Sequence, residues 1–198
     1  MHKLKFYPLF IYIIFTLAGC GKELPVEEDL SGESYTLLDQ DSVEVNFPDI
    51  IDGKIAVVGY IFTNCPDICP LTTNNMRLVQ QKLKDAGVEG VEFVSISFDP
   101  EVDKPSILRK FADVRNLDRN NWTFLTGEKQ TIDSLMSRLK IVAVPGDTSV
   151  TSSGEEYIYF IHTDRISLFD ENNHLRKNYL GSKAPIDEVV ADVKTLAD

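Results

Sequence analysis

The sequence predicts a single α/β domain with a largely parallel core sheet and an antiparallel edge contributed late in the chain. Three observations predict it. IAVVGYIF (55–62) and VEFVSISFD (91–99) are apolar on both faces, the pattern of buried central strands. Segments with apolar residues at helical spacing alternate with such runs. RISLFD and HLRKNYL are joined through the turn pair Asn172-Asn173 near the end of the chain. With 198 residues, 43% apolar and 26% charged, there is enough chain for one well-buried domain and a leader or tether besides.

Taken in order, residues 1–19 stand outside that domain. Lys3 and Lys5 make a basic start, and Phe6 to Leu17 is an apolar run too short to span a bilayer comfortably. The run ends in Leu17-Ala18-Gly19-Cys20, which resembles a bacterial lipobox. That resemblance implies a signal peptide cleaved before Cys20, lipid on the Cys20 thiol and a domain held on the outer side of a membrane, the periplasmic face in a two-membrane bacterium. Several acyl chains, at about 0.8 kcal/mol per buried CH2, make such an anchor firm. Residues 20–32 include the polar, acidic GKELPVEEDLSG and read as a lipidated tether, leaving 33–198 as the domain.

YTLLDQDSVEVNF reads as two short strands about the turn Asp39-Gln40-Asp41-Ser42. After the first central strand, Met76, Val79 and Leu83 predict a helix from about Leu71 to Ala86, stopped by Gly87. Pro105 opens a second helix with Leu108, Phe111 and Val114 on its apolar side. WTFLTG reads as a strand end with Trp122 in the core, and Ile132, Leu135, Met136 and Leu139 mark a third helix. Residues 145–154 (PGDTSVTSSG) read as a polar loop, and YIYFIH and RISLFD as paired strands. Pro185 opens the last helix, with Ile186, Val189, Val190 and Val193 inward.

The net charge of −11 becomes two units more negative once Lys3 and Lys5 leave with the leader. Such acidity argues against nucleic acid and against adsorption to anionic lipid. Cysteine is scarce, and two of the three thiols sit four positions apart in IFTNCPDICP. If lipid takes Cys20, Cys65 and Cys69 must act with each other or with something from outside. They lie where the first central strand gives way to a helix, the end of an α/β sheet that ordinarily carries its chemistry. On a helix start, positions i and i+4 share a face with alpha carbons about 6 Å apart, near the upper end of what a disulfide can close. The same spacing lets both sulfurs reach one metal ion, and free amides there favour thiolate. A disulfide, a redox dithiol and a metal clamp all remain open on this geometry.

Structural zinc ordinarily takes four protein ligands, whereas Cu(I) accepts three soft or borderline ones, for which thiolate and imidazole are suited. His2 leaves with the leader, and His174 in ENNHLRK reads as a solvent-exposed loop residue. His162, in YIYFIHTDRISLFD, lies between apolar strand residues, where a histidine is ordinarily a hydrogen-bonded core residue. Pro66 and Pro70 shape the turn around the thiols, and helix-start stabilisation accounts for Asp67.

IFTNCPDICPLTT resembles the Phe-Thr-x-Cys-Pro-x-x-Cys-Pro signature of the Sco/SenC family, copper-binding thioredoxin-fold proteins involved in assembling cytochrome c oxidase. YTLLDQDSVEVNF resembles that family's opening hairpin, SISFDPEVDKPSILRKFA its Ser-x-Asp-Pro-x-x-Asp segment and helix, and WTFLTG its Trp-x-x-Leu-Thr-Gly. HTDRISLFDENNHLRKNYLG resembles its histidine strand and the strand that follows. The resemblance runs from about residue 33 to 198 and implies a thioredoxin-like fold. It also implies copper ligands at Cys65, Cys69 and His162, with Cu(I) as the ion and Cu(II) left open. Asp99 and Asp103 match the family's acidic pair, either as partner contacts or as solvated loop residues. The chain departs from the family where many members have an acid before the histidine: Ile161 stands there, and no carboxylate at that position orients the imidazole. The loop PGDTSVTSSG departs as well, on the face where partners approach.

Three functions follow from the resemblance and the residues together. One is a membrane-anchored copper metallochaperone that delivers copper to the copper-bearing subunit of cytochrome c oxidase. The second is a thiol–disulfide oxidoreductase working through Cys65 and Cys69. Against it stand the three residues between the cysteines, where thioredoxin-like reductases have two, and the lack of a proline ahead of the strand that faces the pair. The third is copper sensing or buffering without delivery.

Overall fold

The structure, a computed structural model, describes residues 24–150 and 156–197. Along the chain lie β1 (Glu28–Asp29), β2 (Tyr35–Asp39), β3 (Glu44–Phe47), β4 (Ile55–Ile61), α1 (Ile68–Asp85), β5 (Val91–Ser97), α2 (Pro105–Val114), β6 (Trp122–Thr126), α3 (Lys129–Arg138), β7 (Ala143–Val150), β8 (Glu156–His162), β9 (Arg165–Phe169), β10 (His174–Leu180) and α4 (Ile186–Ala197). An eight-stranded sheet has the order β1-β10-β9-β4-β5-β6-β2-β3, and β7 pairs with β8 in a sheet of their own.

The parallel centre follows from sequence. Every residue of β4 is buried, and it runs parallel to β5 in register from Ile55 opposite Val91 to Ile61 opposite Ser97. β6 extends the parallel set from β5, and the other flank of β4 is taken by β9, antiparallel. Helix α1 packs over β4 and against α4. It comes close because Gly59 has no side chain: a Cβ there would lie 2.5 Å from the Met76 sulfur. Trp122 is buried and donates its indole N–H to Ser95 Oγ at 3.0 Å, which satisfies its one polar atom. Among the described residues no helix is long and apolar enough to cross a membrane.

Five local expectations are corrected. The stretch from Leu24 to Gly32 is packed onto the domain: Leu24 and Leu30 are buried, β1 pairs with the start of β10, and Glu28 and Glu33 hold Arg138 in ion pairs. Two leucines spaced among acids were enough to tie down what composition reads as a tether. Helix α1 begins at Ile68, earlier than Leu71, with Cys65 ahead of it. Val114 is exposed, because α2 ends there. Residues 143–150 form β7, a strand whose polar composition suits its place outside the main sheet. β8 pairs with β7 and β9 with β10, so YIYFIH and RISLFD follow each other without pairing. Cys20 and residues 151–155 of the polar loop lie outside the described residues.

Truncating a buried leucine costs about 2–5 kcal/mol through lost transfer energy and the cavity left behind. Leu30→Ala is therefore expected to lower unfolding free energy by about 2–4 kcal/mol in urea titrations. An unchanged midpoint would mean that the segment is a passive tether.

Candidate metal centre

The site is built where β4 ends. Beyond Ile61 the chain turns through residues 62–67, and the Cys65 N–H donates to the Phe62 carbonyl at 3.3 Å. Cys69 lies in the first turn of α1, and its N–H donates to the Cys65 sulfur at 3.3 Å. The first amides of a helix have no partner within it, and a side-chain acceptor ahead of the helix ordinarily supplies one. Here that acceptor is a sulfur, while the Asp67 side chain makes no capping bond. The cysteine pair is thus one loop residue and one helix residue, both buried and both free thiols.

His162 is the last residue of β8, opposite Ala143 of β7. Its Nε2 lies 4.0 Å from the Cys69 sulfur, and the two sulfurs and one ring nitrogen all fall within 4.8 Å of one another. The other ring nitrogen, Nδ1, donates to the Thr163 carbonyl at 3.1 Å. A carbonyl can only accept, so this bond places a proton on Nδ1 and turns Nε2 to the sulfurs. The main chain therefore supplies the orientation that a carboxylate at 161 would give, while Ile161 itself is 68% exposed. The imidazole packs against the rings of Phe62 and Phe98 at centroid distances of 5.7 and 5.1 Å, and Phe160 contacts both phenylalanines.

Two residues after His162, Asp164 ties the histidine loop to the cysteine helix. Its carboxylate accepts from Thr72 Oγ1 at 3.1 Å and from the Ser182 N–H at 2.9 Å and Oγ at 2.5 Å. Gly181 makes this convergence possible, since a Cβ there would lie 2.5 Å from Asp164 Oδ1 and 2.7 Å from Thr72 Oγ1.

The two thiols titrate as a coupled pair. Sharing a hydrogen bond with Cys69 lowers the Cys65 thiol to about 4, against the opposing effect of burial, with His162 and the Cys69 and Asp67 amides helping. The same bond, with burial and the charge on Cys65, pushes the Cys69 thiol up. One proton is held between two sulfurs, and the charge rests on Cys65. Burial works to lower His162, but its bond to Cys65, the Thr163 carbonyl and the nearby negative charges outweigh it, and its pKa is raised.

Of the other predicted residues, Asp103 is fully buried and accepts from the Thr63 N–H at 3.0 Å, the Thr63 hydroxyl and Ser97 Oγ at 2.6 Å. Burial raises its pKa. It braces the cysteine turn from inside, and a contact residue for partners or solvent it is not. Asp99 is half-buried, pushed up to about 6 by burial and then by Asp103. His174 opens β10, half-buried, with Nδ1 3.2 Å from Asp170, so it is no free loop residue. Sequence reasoning missed Asp164, the Thr163 carbonyl and the phenylalanine box. The polar pair Thr163-Asp164 interrupting apolar residues after His162 was the available signal.

Three donors around one ion at roughly 2.0–2.3 Å stand about 3.5–4 Å apart. Two sulfurs and Nε2 within 4.8 Å meet that requirement after small side-chain shifts. Two thiolates and an imidazole form a soft set that suits Cu(I) more than a hard cation.

Fold and site together define a class: a thioredoxin-like domain with a dithiol at the carboxyl end of its central strand and an imidazole closed over it. The chain belongs to the SCO1/SenC family, whose pattern matches residues 25–198. It is 31% identical to the SCO1 protein homolog of Bacillus subtilis (strain 168) over 186 residues, 93% of this chain and 92% of that one. Among solved structures, a SCO1/SenC family lipoprotein from Bacillus anthracis is 31% identical with a TM-score of 0.70, over 84% of this chain and 94% of that one. BsSco, a Sco family cytochrome c oxidase assembly protein with a disulfide switch, is 32% identical with a TM-score of 0.67 over 83% and 92%. Bradyrhizobium japonicum ScoI with copper bound is 25% identical with a TM-score of 0.67 over 83% and 98%.

Because the Cys65 pKa is lowered, its thiolate persists above about pH 4 and is lost below it. Iodoacetamide is expected to modify Cys65 rather than Cys69 at pH 6, with a rate nearly flat up to pH 8, read by peptide mass spectrometry. A rate that climbs through an ordinary thiol midpoint of about 8.5 would contradict the assignment.

Proposed function

We propose that this protein is a membrane-anchored copper metallochaperone that holds Cu(I) on Cys65, Cys69 and His162. It gives the ion up during assembly of the cytochrome c oxidase dinuclear copper site. The carrying observation is the convergence of two sulfurs and Nε2 within 4.8 Å, from segments far apart in sequence. Binding displaces the thiol proton and needs Nε2 of His162 free of one, so affinity rises with pH. Three protein ligands leave room for an incoming ligand from the recipient, which is what transfer requires. The oxidase as destination is supported by the naming of BsSco as an oxidase assembly protein. Anchoring through lipid on Cys20, outside the cytoplasm, is supported by the lipobox-like sequence and by the Bacillus anthracis lipoprotein relative.

One observation favours a second reading. A Cys65 thiolate beside a protonated Cys69 is the arrangement of a thiol reductant. Cys65 would attack a substrate disulfide, and Cys69, losing its proton, would displace the second substrate thiol and leave a Cys65–Cys69 disulfide.

A competitive titration of the reduced protein with a Cu(I) chelator decides between them. The expected result is one Cu(I) per chain, no binding after loss of either cysteine, and weakening by about 100-fold or more in His162→Ala, since losing even an outer partner of a ligand costs 10–100-fold. Unchanged copper affinity in His162→Ala, together with rapid turnover of disulfide substrates by the wild type, would favour the reductase.

A further inference from the structure

One turn beyond Cys69, the face of α1 that carries Pro70, Thr73, Asn74 and Arg77 meets Arg115 and Leu117, from the segment after α2, around a cavity of about 290 Å3. Two guanidinium groups border it. The chain has 31 acids to 20 basic residues, and Arg109, Arg119, Arg138 and Arg176 each pair with a carboxylate. Arg77 and Arg115 have no carboxylate partner among the described residues: Arg77 donates to the Asn74 side chain at 2.9 Å, and Arg115 to the Phe111 carbonyl at 3.3 Å. Placing two unneutralised cations on one cavity, where acid is in excess, leaves repulsion that an anion would relieve.

The site is also held in shape. The Arg115 guanidinium lies over the Phe111 ring at 3.6 Å, which fixes its plane and leaves N–H groups to spare. Thr73 on the cavity wall buries a hydroxyl with no hydrogen-bond partner among the described residues. Burial works against the Arg115 charge.

We propose that this cavity is a carboxylate-binding site, filled by an Asp or Glu side chain of the protein that exchanges metal at Cys65 and Cys69, and that it sets that protein's position over the sulfurs. The proposal rests on the metallochaperone reading. The cavity has room for one side-chain carboxylate, and Arg presents paired donors that match one. An acidic chain gains selectivity from a small cationic socket, because an acidic partner is repelled everywhere else. A bare anionic membrane meets the same repulsion with no contact beyond a headgroup.

The test is an NMR titration of the full-length reduced protein in neutral detergent, following the Arg77 and Arg115 Nε–H signals. Glutarate serves as the carboxylate probe, with copper stoichiometry measured alongside. Saturable shifts of both signals are expected, weakened at least tenfold in Arg115→Gln and in Arg77→Gln and unchanged in Arg119→Gln. Arg77 is exposed and Arg115 half-buried, neither is a metal ligand, and each variant is expected to keep one Cu(I) per chain. Absent or unsaturable shifts, or equal binding by all variants, would overturn the proposal. So would inorganic phosphate or dihexanoyl-phosphatidylglycerol displacing glutarate at a tenth of its concentration, which would assign the cavity to a free oxyanion or a lipid headgroup. Saturable glutarate binding by wild type that takes up no copper would support the socket and defeat the copper reading alone.

Discussion

The Asp164 carboxylate is the tie on which the site depends. His162 and Cys69 are 93 positions apart, on a two-stranded sheet and on a helix with no shared ladder of backbone bonds. Asp164 bridges them, taking bonds from Thr72 on α1 and from Ser182 beyond β10. Hydrogen bonds to a charged acceptor contribute about 1.5–3 kcal/mol each, enough to hold a loop whose own apolar burial is small. Gly181 is the steric condition for that tie, and Asp103 is its counterpart on the other side, holding the turn that carries Cys65 through Thr63. Two buried or half-buried carboxylates thus position a site whose working atoms are sulfur and nitrogen.

Those positions explain the charge distribution. The Cys65 sulfur accepts the Cys69 N–H in the first turn of α1, and that helix-start amide stabilises negative charge on the sulfur. Cys69, deeper and beside that charge, keeps its proton. Phe62 and Phe98 pack against the imidazole, with Phe160 against both of them, and with its Nδ1 engaged by Thr163 the ring presents Nε2 to the sulfurs. Two thiols alone suit a soft metal or a disulfide; the imidazole beside them adds a third metal donor.

Much of this was legible in the chain. The double-sided apolar runs at 55–62 and 91–99 marked the parallel centre, and the cysteine motif with the segments around Trp122 and His162 marked the family. What periodicity could not convey was pairing. The strand ending in His162 looks like the partner of the strand beginning at Arg165, since two residues suffice for a hairpin, but Thr163 and Asp164 are occupied with holding the site. Asp103 reads as surface because acids ordinarily are; its burial depends on Thr63 and Ser97, whose donors only the fold brings within reach. Leu24 and Leu30 are two apolar residues in an acidic stretch, too few to form a pattern and enough to be buried.

The central claim, that His162 is a ligand and no mere neighbour of the sulfurs, is tested most directly by X-ray absorption of the Cu(I)-loaded protein. The account predicts a shell of two sulfurs and one nitrogen, with the outer-shell scattering of an imidazole that disappears in His162→Ala. A sulfur-only shell identical in wild type and variant would contradict it.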